Sequence, residues 1–314
     1  MKDTYPRDWQ GYGQQRPRFQ WPLGNRLAIS LVLNYEEGAE RNPLDGDDCS
    51  ENLMSGFSAL PSLSQARHFS SESLYSYGSR VGCWRLLKLF ERCKVPATIF
   101  ACGLALERNP EFAGYLQGSP HEIAGHGYRW IDYSKVDAVL EREHIHRTLD
   151  IIESSTGKKV TGWYTGRKSR NTRELVIDAG LTYDSDDYSD DLPWWLNTGS
   201  KHHLIIPYTL LNNDCQYTLS PGWSTPEQAW QHLKATFDTL YHESEEHPTL
   251  MSIGIHCRLS GHPGRSQVLK KFIEYAQAHN HVWFTTRASI ADYWQENCPP
   301  APMKKEGNND NSSL

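Results

Sequence analysis

No stretch of this 314-residue chain is as long and apolar as the roughly 18 residues that a membrane-spanning helix requires. No CxxC pair occurs among its seven cysteines, Cys49, Cys83, Cys93, Cys102, Cys215, Cys257 and Cys298, which are scattered and odd in number. That argues against a zinc ribbon or a disulfide framework, and reduced thiols in a cytoplasmic protein are the plain reading. Neither GxGxxG nor GxxxxGKS/T follows any candidate strand, so no nucleotide-phosphate loop is indicated. Charge of one sign is not in excess. The 32 Lys and Arg face 38 Asp and Glu, leaving a net charge of −6 with the signs interspersed. This balance gives no nucleic-acid or membrane-surface footprint. Met1–Pro6 lacks the apolar core of a secretory signal. No internal repeat is evident.

What the chain does hold is apolar and aromatic material, 38% and 11% of its residues, enough for a large core. Leu27–Gly38 is the clearest stretch: mostly aliphatic residues between turn signals, then Glu36, Glu37 and a glycine. It reads as a buried parallel strand whose carboxyl end carries two acids, where enzymes built on parallel sheets place their chemistry. Residues 1–26 read as an arm packed on the body, because Trp9, Tyr12, Phe19 and Trp21 need burial. A single domain is expected over 27–298, with a flexible tail over 299–314. The polar, Ser-rich insertion 39–79 is too long for a plain connection, so it is functional or has local helices of its own.

Beyond it the pattern alternates. Helices are expected over Ser79–Cys93, Leu104–Leu116, Val136–Ser154, Thr172–Ala179, Pro226–His242, Gln267–Ala278 and Arg287–Glu296. Strands are expected over Val95–Ala101, His121–Tyr128, Val160–Tyr164, Leu181–Asp184, Leu204–Leu211, Leu250–His256 and Val282–Thr285. About seven alternations imply parallel strands with right-handed crossovers, and an α/β barrel rather than an open nucleotide-binding sheet. Several strands end in polar groups: Glu36 and Glu37; His121, Glu122 and His126, followed by Arg129 and Trp130; Tyr164 to Arg167; Asp184, Asp186 and Asp187; Asn213 and Asp214; and His256 to Arg258. At one pole of a barrel such ends would form a site. Cys257, beside His256, faces away from it on a strand and reads as packing.

These motifs resemble the polysaccharide deacetylase, or NodB-homology, family. Asn34-Tyr35-Glu36-Glu37-Gly38 is similar to its Thr-Phe-Asp-Asp-Gly motif, and His126-Gly127-Tyr128-Arg129-Trp130 to its His-Ser/Thr-x-x-His motif. Gly162–Arg167 is similar to the Arg-Pro-Pro-Tyr region, and Ile253-Gly254-Ile255-His256 to the late Leu-x-x-His motif. The resemblance implies a distorted (β/α) barrel of about seven parallel strands. The departures are informative. The family's metal triad of one Asp and two His meets Glu37 and Trp130 at two of its positions, and an indole N–H can only donate. No catalytic metal and no cofactor are therefore expected. With Glu72–Arg80, Tyr183–Asp186, Ile206–Thr209 and the opening Tyr5–Gly13, the pattern is similar to the metal-independent allantoinases within that family.

That resemblance implies hydrolysis of the hydantoin ring of allantoin to allantoate in purine degradation, by a cytoplasmic homo-oligomer, a tetramer. A small-molecule substrate is the expected partner, with no nucleic acid and no membrane. The chemistry is reasonable without a metal, because the ring carbonyl is imide-like and the departing nitrogen belongs to a ureide. Glu36 is expected to activate water and His256 to protonate the leaving nitrogen. Arg129, Arg167 or Arg258 would stabilise the oxyanion or anchor the ureido arm. Trp130 would press on the ring, with Glu37 and His126 hydrogen-bonding substrate, Tyr164 among the binding residues, and Asp186 orienting His256. Arg129 has an equally simple structural use, pairing with Asp132 or a neighbouring acid. One alternative is a metal-dependent deacetylase acting on N-acetyl sugars of chitin or peptidoglycan. Another is a catalytically dead barrel kept as a binding protein.

Overall fold

The computed structural model describes residues 7–56 and 61–301. The tail expected from Lys304 onward lies outside them, as do Tyr5 and Pro6. Among the described residues the chain runs β1 (Leu27–Tyr35), α1 (Phe69–Tyr77), α2 (Cys83–Cys93), β2 (Thr98–Ala101), α3 (Gly103–Arg108), α4 (Pro110–Gln117), β3 (Glu122–Gly125) and α5 (Ala138–Thr156). It continues through β4 (Gly162–Trp163), α6 (Thr172–Asp178), β5 (Tyr183–Asp184), β6 (Trp194–Asn197), β7 (His202–Ile205), α7 (Pro226–Glu243), β8 (Thr249–His256), α8 (Cys257–Ser260), α9 (Pro263–Gln277), β9 (Val282–Thr285) and α10 (Arg287–Asn297).

The strands form one curled sheet in the order β6-β7-β5-β4-β3-β2-β1-β8, with β9 also on β1. β1 pairs in parallel with β8 from Leu27 to Asn34. On its other edge it pairs with β9 through Leu27–Ser30 and then with β2 through Val32–Tyr35. All pairings are parallel except β6 with β7. Between β7 and β8 the described residues have only a single bridge, Asn213 to Gly254, so the sheet is a half-barrel of the NodB type. Among the described residues eight strands are parallel, at the eight places where the sequence marks strands. β6 adds an antiparallel hairpin that the sequence analysis did not anticipate.

Alternation along the strands sorts the core. On β1, Leu27, Ile29, Leu31, Leu33 and Tyr35 join the cluster packed under the helices, with Leu86, Leu87 and Phe90 of α2 and Phe272 of α9. The even positions face the barrel interior, where Val32 meets Phe100, Ala124, Tyr164 and Tyr208. Each large side chain buried in this way contributes about 1.5–3 kcal/mol. Deeper in the barrel lies Arg287, wholly buried at the start of α10. It donates to Ser185 Oγ at 2.9 Å, Ser252 Oγ at 3.0 Å and the Pro207 carbonyl at 2.7 Å.

Two helical expectations change, and the local helix expected in the insertion is present. The segment read as one helix over Leu104–Leu116 is two, because Pro110 cannot continue α3 and Asn109 caps α4 by accepting from Phe112 N. Insertion 39–79 contains α1. A π-helical turn, Gly78–Gly82, joins α1 to α2, so the helix expected from Ser79 starts irregularly. In the arm Trp21 is buried, with Nε1 donating to the Thr249 carbonyl and Phe19 edge-on against it. Trp9 is 79% exposed beneath the Arg7 guanidinium, contrary to the burial expected for it.

Candidate active site

The alternation that fills the barrel also builds the site. Asn34 continues the inward column of β1, with its Nδ2 donating to Tyr208 Oη at 3.0 Å. Glu36 is the next inward position, and Glu37 turns outward against Gly78, where a Cβ would lie 2.4 Å from Glu37 Oε1. His126 follows the inward Ala124 beyond β3, and His256 ends the inward column of β8. Strand ends at the carboxyl pole therefore deliver Glu36, His126 and His256 to one point. Glu36 Oε1 lies 3.0 Å from His126 Nε2 and 3.5 Å from His256 Nε2. Glu36 Oε2 lies 2.7 Å from Arg258 Nη2, supplied by α8. Both atoms of that ion pair are out of reach of solvent.

Charge is heavily organised here. Burial pushes the Glu36 carboxyl up, but Arg258 and His256 outweigh it and hold Glu36 well below the usual carboxylate range. Burial disfavours the His256 cation, but Glu36 and Asp214 raise His256 to about 9. Burial pushes Glu37 up against the opposing pull of Arg258. The arrangement at neutral pH is an ionised Glu36 between two cations, one of which can release a proton.

The orienting acid for His256 is Asp214, not Asp186. Asp214 Oδ1 lies 2.6 Å from His256 Nδ1, and its Oδ2 accepts from His256 N and Ser260 N. Asp186 instead accepts from the Thr165 and Gly166 amides at 2.8 Å, fixing the turn that presents Arg167. The polar run ending at Asp214 was visible in the sequence; its pairing with His256 depends on β7 and β8 meeting at the sheet gap. His121 and Glu122 stand at the start of β3, at the opposite pole. There His121 accepts from Ala97 N, and Glu122 accepts from Thr98 and Tyr183 hydroxyls.

The remaining candidates surround the cluster. Trp130 is buried, with the Arg167 guanidinium 4.1 Å from its ring centroid and that of Arg258 at 5.0 Å. Tyr75, from α1, lies 4.4 Å from the Arg258 guanidinium, with its ring 6.2 Å from that of Trp130. Tyr164 stacks on Phe100 and on His126, and its carbonyl lies 2.6 Å from His126 Nδ1. A carbonyl only accepts, so Nδ1 carries a hydrogen and Nε2 faces Glu36. Arg129 is engaged elsewhere: it pairs with Asp47 at 2.5 Å, not with Asp132, and donates to the Ala39 and Glu40 carbonyls. Glu37 accepts from Arg258 N at 3.1 Å. Glu37 and His126 are thus committed to protein groups rather than pointing polar atoms at a ligand. Glu51 and Glu40, both buried acids beside the cluster, were not anticipated.

The metal that the family implies does not fit this donor set. Trp130 offers no lone pair, and Glu37 faces Arg258 N and Gly78 rather than His126. The Arg258 guanidinium already places a fixed positive charge between Glu36 and Glu37. Among the described residues no group of three His, Cys, Asp or Glu is arranged to hold a metal ion.

A parallel half-barrel with a carboxylate–histidine cluster at its carboxyl pole is the build of a NodB-type hydrolase. A family model described as polysaccharide deacetylase matches residues 74–183. A Schizosaccharomyces pombe protein named after the polysaccharide deacetylases is 39% identical over 298 residues, 89% of this chain and 93% of its own length. The chain belongs to the polysaccharide deacetylase family. A crystal structure from Pseudomonas aeruginosa PAO1, also named after that family, is 50% identical, with a TM-score of 0.92 over 95% of this chain and 100% of its own. The crystal structure of PuuE allantoinase is 48% identical, with the same TM-score and the same coverage. No helix among the described residues is long and apolar enough to cross a membrane.

Proposed function

We propose that this hydrolase opens the hydantoin ring of allantoin to give allantoate, without a metal, in ureide degradation. The observation that carries the reading is a buried Glu36 held between the Arg258 guanidinium, 2.7 Å from its Oε2, and the His256 ring, 3.5 Å from its Oε1. A water held at Oε2 loses a proton to Glu36 as its oxygen bonds to the ring carbonyl carbon. The developing oxyanion meets Arg258, the arginine of the three candidates that touches the catalytic acid. His256 gives its proton to the ring nitrogen as the C–N bond breaks. The two transfers help each other, because each charge stabilises the other: as His256 loses its proton, Glu36 becomes a stronger base. The products are a carboxylate and a neutral ureide, so each turnover releases one proton. The likeness to PuuE allantoinase supports this substrate, and Trp130 at the second metal-His position supports metal independence. The same reading makes the protein a cytoplasmic homo-oligomer acting on a small molecule.

The test is allantoin hydrolysis before and after exhaustive EDTA treatment, with bound metal counted in the same sample. Unchanged turnover in metal-free protein is expected. Activity lost with the metal overturns the metal-free mechanism. No turnover on allantoin, with activity on N-acetyl oligosaccharides, overturns the substrate.

A further inference from the structure

We propose that Glu51 is a positioning residue for this reaction, and that the strap it anchors, residues 51–56, lifts to admit substrate. The inference rests on the reading of the site given above. Glu36, His126, His256 and Arg258 are each no more than 3% exposed, and the reactive Oε2 and Nη2 are out of contact with solvent. No substrate reaches those atoms unless a covering element moves.

The cover includes the loops that carry Trp130 and Arg167 as well as strand ends and α1. Residues 51–56 have neither helix nor strand. The contacts that fasten the strap come largely from side chains of the site. Arg258 Nε donates to the Met54 carbonyl at 2.8 Å, Tyr75 Oη to the Leu53 carbonyl at 2.8 Å, and Ser71 Oγ to the Glu51 carbonyl at 2.7 Å. Met54 has a φ of +49°, a left-handed conformation that is costly for a side-chain-bearing residue and persists only while its surroundings enforce it.

Glu51 ties these contacts together. Its Oε1 accepts from its own strap, at Asn52 N (3.0 Å) and Leu53 N (3.1 Å), and from Arg41 Nη2 at 3.3 Å. Its Oε2 accepts from Arg41 Nε at 3.2 Å and from Arg167 Nη1 at 3.4 Å. Arg167 in turn lies over Trp130, and Arg258 packs on both Trp130 and Tyr75. One buried carboxylate therefore sets both the strap that caps Arg258 and a guanidinium that packs on Trp130. Residues 51–56 are in this way a working part of the site. They close over bound substrate and bring the Met54 carbonyl onto the oxyanion-stabilising arginine.

The experiment compares wild type with Glu51→Gln, Glu51→Asp and Tyr75→Phe, reading amide hydrogen exchange at Asn52 and Leu53 without substrate, and kcat and KM on allantoin. In Glu51→Gln exchange at these two amides is expected to rise about tenfold or more while the barrel strands stay protected. KM should rise by about tenfold with the pH profile of kcat unmoved, since Glu36 and His256 are untouched. Glu51→Asp should recover part of the loss. Tyr75→Phe keeps the ring on Arg258 and loosens only the Leu53 carbonyl, so it should show the exchange effect more weakly and folds even if the Glu51 variants do not. Strap amides as slow to exchange as β1 in every variant, or KM within twofold of wild type in Glu51→Gln, overturn the proposal. The exchange arm uses no substrate. If wild type fails on allantoin while the strap still loosens, the substrate reading falls and the strap assignment stands.

Discussion

The two oxygens of Glu36 have different neighbours, and that difference organises the chemistry. Oε1 faces two imidazoles, whereas Oε2 faces the Arg258 guanidinium at 2.7 Å. Glu36→Gln keeps the shape and removes the base, so turnover is expected to fall by about 10²–10⁴-fold with the fold intact. Near-normal turnover would remove Glu36 from the mechanism. The pH profile of kcat/KM tests the partner. Glu36 is ionised from well below the carboxylate range upward, and His256 is the acid up to about 9. Activity is thus expected to be flat around neutrality and to fall above about pH 9, after subtraction of alkaline ring opening in a blank. The same shift has a stability consequence. The His256 pKa is higher in the fold than the ordinary histidine value of 6.5, so its stabilisation is complete below about 6.5 and is lost as pH rises through about 9. A profile centred on 6.5 would mean that Asp214 and Glu36 do not hold the His256 proton.

At the scale of elements, the site depends on how closely α2 approaches α8. Arg258 sits on the single turn of α8, and the π-helical segment Gly78–Gly82 lies directly against it. A Cβ at Gly82 would be 2.1 Å from the Cys257 carbonyl oxygen, and one at Gly261 would be 2.1 Å from the same atom. Only hydrogen fits at both places. Gly82→Ala is expected to destabilise the fold by about 1–3 kcal/mol in chemical denaturation, the usual cost of overpacking. It should also lower kcat by shifting Arg258 away from Glu36. An unaffected midpoint and kcat would show that the two helices have slack. The periodicity of α2 was legible in the sequence, because Leu86, Leu87 and Phe90 mark one face. The π turn before it was not, since its cause is a backbone contact with residues some 175 positions away.

The whole molecule is a sheet curled around a layered interior. At the carboxyl pole lie Glu36, His126 and His256. Below them are Phe100, Tyr164 and Tyr208, and deeper still is Arg287 with Ser185, Ser252 and the carbonyl of Pro207. Arg287 does the work of a missing ladder, since β7 and β8 share no strand pairing in the described residues and the guanidinium links the exit of β7 to Ser252 of β8. Arg287→Met should cost about 3–5 kcal/mol, because it leaves buried carbonyls without donors and the nearby Glu122 without its compensating charge. Thermal unfolding measures this; a loss under 1 kcal/mol would mean that the aromatic layer alone holds the gap.

The amino-acid sequence determined which residues could serve and which face of each strand they would occupy. Strand polarity, the acids after β1, His126, His256 and the loss of a metal ligand at Trp130 are all local properties, carried by composition, alternation and motif spacing. The tertiary structure decided who meets whom. That Asp214 rather than Asp186 orients His256, that Arg129 is taken by Asp47, that Arg258 is the guanidinium at the catalytic acid, and that an irregular insertion brings Glu51 and the Met54 carbonyl over the site all depend on contacts between segments distant in the chain. Such contacts are set by how the sheet curls and where its gap falls, and no short-range pattern encodes either.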